Sequence, residues 1–122
     1  MKVYLDNAAT TPVVKEVLEA MQPFLSERFG NASALYLLGR EAKEALEKAR
    51  ETIKRKVNAT EHKLIFTSGG TESNNLAIKG IAYSGKKKHF VSSRIEHGCV
   101  LNSLRWLKTQ GYKTTWLSLI HI

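Results

Sequence analysis

From residue 63 onward the chain alternates apolar blocks with helix-length stretches, and 63–67, 71–83, 89–92, 99–110 and 113–117 read in turn as strand, helix, strand, helix, strand. Alternation of this kind predicts an α/β fold in which parallel strands are joined by right-handed helical crossovers. Gly85 and Gly111 stand where the two helices should stop. The first junction carries the most chemistry. In Lys63-Leu-Ile-Phe-Thr-Ser-Gly-Gly-Thr-Glu-Ser-Asn-Asn-Leu-Ala-Ile78 an apolar run breaks into Gly69 and Gly70 and then opens a helix near Thr71. The glycine pair predicts tight positive-φ turns and a close approach of backbone to ligand, while Thr71 adds a hydroxyl beside unpaired helix N–H groups. A phosphate is the expected guest. The lysine of a Walker A loop and the G-x-G-x-x-G of a dinucleotide fingerprint are both missing. What remains suits a single terminal phosphate held by the N–H groups of Gly70 and Thr71, the Thr71 hydroxyl and the helix dipole. The alternative is a plain strand-to-helix turn.

The first half of the chain has a different rhythm. A short apolar start leads into a polar loop, Asp6-Asn-Ala-Ala-Thr10, where Asp6 and Asn7 are expected to hold a turn through side-chain to backbone bonds. Thr11 as N-cap and Pro12 at the first helical position, followed by Val13, Val17, Leu18, Met21 and Leu25, predict a helix over 12–26. Residues 29–33 read as a turn. Beyond it Ala42, Ala45, Leu46, Ala49, Ile53 and Val57 form an apolar stripe opposite Lys43, Glu44, Glu47, Lys48 and Glu51, which predicts a second amphipathic helix. The expected organisation is a loop and two helices over 1–60, the start of an α/β domain over 61–117, and an atypical apolar tail over 118–122 that reads as a truncation.

At 122 residues, 43% hydrophobic and 25% charged, the chain can form a modest globular core. No apolar run reaches membrane-spanning length and the N-terminus lacks a signal-peptide pattern, so a cytoplasmic protein is expected. The net charge of +8 is spread over helices and loops, densest at Lys86, Lys87 and Lys88, and reads as a solvated surface that favours an anionic ligand rather than nucleic acid. No cysteine pair, H-E-x-x-H motif or calcium loop is present, so no metal site is expected. Of the four histidines, His97 stands out because Glu96-His97 follows a predicted strand at the sheet edge that carries the glycine pair. Its imidazole could stack on a planar cofactor or exchange a proton, the other reading being a helix cap or solvent-facing residue. His62, His89 and His121 take that second reading. Cys99, two residues on, reads as a structural thiol in preference to a nucleophile, because catalytic pairs are assembled in space.

Taken together, Tyr4-Leu-Asp-Asn-Ala-Ala-Thr-Thr-Pro12, Arg28-Phe-Gly-Asn31, Leu38-Gly-Arg-Glu-Ala42, Phe66-Thr-Ser-Gly-Gly-Thr-Glu-Ser-Asn-Asn75 and Ile95-Glu-His97 closely resemble the front part of the cysteine desulfurases. These are relatives of the class-V aminotransferases, and the match runs from residue 4 to about residue 117. The resemblance implies the beginning of a fold-type I transferase large domain with a mainly parallel, incomplete sheet. It implies pyridoxal 5′-phosphate as cofactor, L-cysteine as substrate, a homodimer in the full-length enzyme, and a sulfur-acceptor or scaffold protein serving iron–sulfur cluster or tRNA thiolation pathways. Gly70 and Thr71 would bind the cofactor phosphate, His97 would stack on the pyridine ring and assist proton transfer, and Asn7 and Ala8 would lie on the substrate side. The chain departs from the family where Asn31-Ala-Ser-Ala34 and Tyr36 replace the usual Asn-Pro-Ser-Ser and histidine. The family's Schiff-base lysine, pyridine-facing aspartate and persulfide cysteine match no position here, and Cys99 fills none of these roles. The stretch alone is therefore expected to lack desulfurase activity; the alternative from another class is a non-catalytic fragment that binds the cofactor weakly or serves only as an interaction module. An aminotransferase or a selenocysteine lyase is the further alternative within the class-V enzymes.

Overall fold

The computed structural model describes residues 1, 3–85, 87–118 and 120. Lys86 of the basic turn, and Leu119, His121 and Ile122 of the tail, lie outside the described residues, as does Lys2. The chain divides into two compact units, Met1–Leu64 and Ile65–Ile122.

In the first unit the opening loop turns through a backbone bond, Ala9 N–H to the Asp6 carbonyl at 3.1 Å. Neither the Asp6 nor the Asn7 side chain makes a hydrogen bond among the described residues, so the backbone alone closes the turn. Helix α1 covers Lys15–Met21 and α2 covers Pro23–Ser26. The single helix expected over 12–26, capped by Thr11, is thus shorter at its start and interrupted. Val14, not Thr11, occupies the N-cap position, in extended conformation (φ −69°, ψ 152°) and without a side-chain cap. The β-branched pair Val13 and Val14 favours that extended entry. The interruption at Gln22 keeps helical dihedrals (φ −51°, ψ −44°). It arises because Pro23 has no N–H to give to the preceding turn.

Helix α3, Leu37–Lys56, follows the predicted apolar stripe. Ion pairs join half-buried Arg50 to exposed Glu47 and half-buried Lys54 to exposed Glu51, and with one partner in water each stabilises little. Lys54, Arg55 and Lys56 occupy the last turn, where positive charge suits the helix dipole. The turn before α3 is built on Asn31, whose Oδ1 accepts from Ser33 N–H and whose carbonyl accepts from Ala34 N–H, both at 2.9 Å. Two glycines make this packing possible. A Cβ on Gly30 would lie 1.9 Å from the Leu38 carbonyl oxygen, and one on Gly39 would lie 2.3 Å from that of Ala34.

The second unit contains α4 (Gly70–Tyr83), β1 (His89–Ser93), α5 (Gly98–Thr109) and β2 (Lys113–Leu117). Strands β1 and β2 pair in parallel, in register from His89 opposite Lys113 to Ser93 opposite Leu117. Helix α5 is the crossover between them. Both helix-stopping glycines adopt left-handed dihedrals, φ 73° at Gly85 and 84° at Gly111, as the sequence predicts. Ala82, Leu104 and Leu107 form the buried centre, with Ile78, Phe90, Val100, Tyr112 and Trp116 packed around it. Tyr112 satisfies its hydroxyl by donating to the Ala82 carbonyl at 2.9 Å and meets Phe90 edge-on at 6.0 Å between centroids. The strand expected over 63–67 is not formed: these residues lead into α4, and among the described residues the sheet holds β1 and β2. A strand exists only through pairing with another, and the local apolar run cannot supply that. Among the described residues no helix is long and apolar enough to cross a membrane.

Candidate functional site

The start of α4 is fastened by its own side chains. The Ser73 N–H and hydroxyl donate to the Gly69 carbonyl at 3.1 and 3.2 Å, the Thr67 hydroxyl also reaches that carbonyl at 3.2 Å, and the Thr67 and Ser73 hydroxyl oxygens lie 2.6 Å apart. One turn further, the Glu72 carboxylate accepts from both the backbone N–H and the hydroxyl of Ser68, each at 2.7 Å. These two bonds hold the Glu72 carboxyl below the usual carboxylate range, the hydroxyl contributing most.

Gly69 precedes the helix in extended backbone (φ 164°, ψ 178°) and Gly70 is its first residue. The positive-φ turn expected of this pair is therefore absent, since extended backbone at Gly69 leads straight into the helix without needing one. The glycines do something else. A Cβ on either would meet no protein atom within 4 Å, so the missing side chains leave open space before the helix. Among the described residues the N–H groups of Gly70, Thr71 and Glu72 and the hydroxyl of Thr71 have no hydrogen-bond partner. Free donors, the positive end of a helix dipole and a cleared approach make an anion cradle.

His97 sits at the N-cap of α5 (φ −56°, ψ 148°). Its Nδ1 accepts the Cys99 backbone N–H at 3.2 Å and lies 3.0 Å from the Cys99 Sγ. Helix capping, the modest alternative for this residue, is thus one of its roles and uses only one ring nitrogen. Cys99 is half-buried, and its Sγ also accepts from the Asn74 side-chain amide at 3.1 Å. A second tie runs between the same helices: the Ser103 hydroxyl lies 3.0 Å from Asn75 Oδ1 and 2.7 Å from the Cys99 carbonyl, while the Asn75 amide donates to the Thr71 carbonyl at 2.8 Å. Gly70, Thr71, Asn74, His97 and Cys99 consequently line one open recess of about 280 Å³.

Three residues marked in the sequence, Gly70, Thr71 and His97, are therefore brought together. Asn7 and Ala8 belong to the first unit, exposed in the turn closed by Ala9. His62 is exposed in a turn, and His89 is exposed on β1, where its Nε2 meets the Thr115 hydroxyl at 2.8 Å. A larger recess of about 450 Å³ in the first unit is lined mostly by apolar groups such as Phe24, Phe29, Ala45 and Leu46 and offers only Arg28 as a charged group. Among the described residues no three His, Cys, Asp or Glu side chains gather as metal ligands. Asn74 went unmarked in the sequence. Its spacing of three from Thr71, which puts both on one side of a helix, was the available signal.

The class-V aminotransferase family matches residues 3–121. The cysteine desulfurase IscS of Dictyoglomus turgidum is 52% identical over 118 residues, which are 95% of this chain and 30% of that protein. Among solved structures, a NifS-like protein superposes with a TM-score of 0.88 at 35% identity, covering 96% of this chain and 33% of the other. SspA in complex with cysteine gives a TM-score of 0.87 at 45% identity, covering 93% and 33%. The chain thus spans about a third of the length of the proteins it matches. Its mixed helices and small parallel sheet form part of the PLP-dependent transferase fold.

Proposed function

The chain belongs to the class-V aminotransferase family, and on that premise we propose that it is the N-terminal part of a pyridoxal-phosphate-dependent cysteine desulfurase. Such an enzyme converts L-cysteine to L-alanine and passes the sulfur onward as a persulfide. The observation that carries this reading is the recess in which the free donors at the start of α4 meet His97. An aminotransferase or selenocysteine lyase would share the family match; the desulfurase is preferred because the relative at 52% identity bears that name and a solved neighbour holds cysteine.

The residues present fit the cofactor. Open space before Gly69 and Gly70, three unpaired N–H groups and an unpaired hydroxyl suit a phosphate ester. Gly70 and Thr71 would bind that phosphate, with Glu72 spent on holding Ser68. Pyridoxal phosphate, when bound, supplies an electron sink for charge developing at the substrate Cα. His97, its Nδ1 engaged in capping α5, keeps Nε2 for moving a proton, and its exposed ring would stack on the pyridine. Asn7 and Ala8 would border the substrate. Residues 61–117 would begin the cofactor-binding domain, preceded by the loop and helices of 1–60. The whole enzyme would work as a cytoplasmic homodimer, delivering sulfur to an acceptor or scaffold protein and contacting neither nucleic acid nor membrane.

Titration of the chain with pyridoxal phosphate, followed by absorbance, tests the cradle. A hydrogen bond to a charged group contributes about 1.5–3 kcal/mol, so Thr71→Ala should weaken binding by about tenfold or more. Equal affinity in wild type and Thr71→Ala would refute the assignment.

A further inference from the structure

We propose that Cys99 and Asn74 are positioning residues that lock the His97 ring into one orientation and one tautomer, with its proton on Nε2. The functional value of that lock rests on the role proposed for His97; the lock itself follows from hydrogen-bond chemistry. A backbone N–H can only donate, so the 3.2 Å contact from Cys99 makes His97 Nδ1 an acceptor. A neutral imidazole with Nδ1 unprotonated carries its hydrogen on Nε2. With Nδ1 unprotonated, the Cys99 thiol 3.0 Å away is a donor to it and shares that nitrogen's single lone pair with the backbone N–H. The sulfur in turn accepts the Asn74 amide at 3.1 Å, which fixes the direction in which the S–H points.

The arrangement reaches further than the ring. Asn74 is three residues after Thr71 on α4, so the helix that presents the cradle also grips, through the Cys99 sulfur, the residue that caps α5. A group bridging Thr71 and His97 would therefore meet two walls held at a set spacing. A thiol suits the middle of such a relay because it can donate and accept at once, as a serine hydroxyl also can and an alanine methyl cannot.

The test is ¹⁵N NMR of the imidazole in the full 122-residue chain, with the signals assigned by their loss in His97→Gln. Wild type should show an acceptor-type Nδ1 and a protonated-type Nε2. Cys99→Ser should keep both signals in place, Cys99→Ala, which retains the backbone N–H and loses the S–H, should move both part of the way toward the averaged positions of exchanging tautomers, and Asn74→Ala should move them the same way by less. An unchanged backbone amide spectrum separates these shifts from unfolding, and if Cys99→Ala does not fold, the serine and Asn74 variants still decide. The proposal is overturned if wild type already shows averaged nitrogens, if Cys99→Ala leaves them unmoved, or if Cys99→Ser shifts as Cys99→Ala does. Pyridoxal phosphate affinity gives a second readout, with Cys99→Ala expected to weaken it by about two- to tenfold and Cys99→Ser to restore it; no loss in Cys99→Ala would deny the lock any part in the site. If wild type shows no Thr71-dependent binding, the cofactor reading fails on its own, and the nitrogen signals still decide the lock.

Discussion

A Cβ at Gly39 would sit 2.3 Å from the Ala34 carbonyl oxygen and 2.7 Å from that of Asn31, and both obstacles are backbone. Nothing there can swing aside. Gly39→Ala should therefore destabilise the first unit by about 1–3 kcal/mol, as overpacking does. Gly70→Ala meets no atom and replaces a flexible residue in a helix, so it should be neutral or stabilise by up to about 1 kcal/mol. Urea unfolding of the two variants checks the contrast, and a stable Gly39→Ala would contradict the close approach. Both classes of glycine stood out in the sequence, within Leu38-Gly-Arg and within Ser68-Gly-Gly-Thr. What could not be read was why each is glycine: Gly39 answers to a carbonyl five residues back across a turn, and Gly69 to space kept open before a helix. His97 was legible because a histidine after a strand lies at the ligand-binding edge of the sheet. Asn74 was not, because its partner Cys99 is 25 positions away and adjacent only once α4 and α5 pack.

Glu72 fastens the first turn of α4 to the residue that precedes Gly69. The Ser68 bonds lower its folded pKa, so the folded state holds its proton less tightly than the unfolded chain does. The resulting stabilisation is fully present above the ordinary carboxylate range and is lost as pH falls through the lowered value. Glu72→Gln should thus lower the urea midpoint at neutral pH, with the gap to wild type closing as the solution is acidified below that range. A gap independent of pH would show that the charge plays no part. Leu107 on α5 is fully buried in a core whose other buried apolar members among the described residues are Ala82 and Leu104. Leu107→Ala should cost about 2–5 kcal/mol, a loss that unfolding of the second unit, followed by circular dichroism, would register; a change below 1 kcal/mol would mean that this core does not hold the unit together. Helices α4 and α5 and strands β1 and β2 were legible because apolar rhythm and stop glycines are local signals. The strand expected over 63–67 failed because pairing is not local, and the helix expected over 12–26 lost its first turn to two β-branched residues and its continuity to Pro23.

At the scale of the molecule, the chain carries the proposed phosphate cradle and ring wall in one unit and the proposed substrate-side loop in the other. Among the described residues the sheet of the second unit has two strands, and Val91 on β1 remains 59% exposed, whereas parallel sheets are ordinarily covered on both faces. Such a surface is consistent with the proposed full-length homodimer, in which further elements would cover it. The central claim is narrower: that the recess at the start of α4 recognises the phosphate of a pyridoxal cofactor. The most direct measurement compares the affinities of pyridoxal phosphate and pyridoxal for the chain and for Thr71→Ala. Both aldehydes react with surface lysines, and the net charge of +8 favours the phosphate compound in chain and variant alike, so the part of the preference that depends on Thr71 reports the cradle. The account predicts that the chain prefers pyridoxal phosphate by about tenfold or more and that most of this preference disappears in Thr71→Ala. Equal affinity of the chain for the two compounds would contradict it.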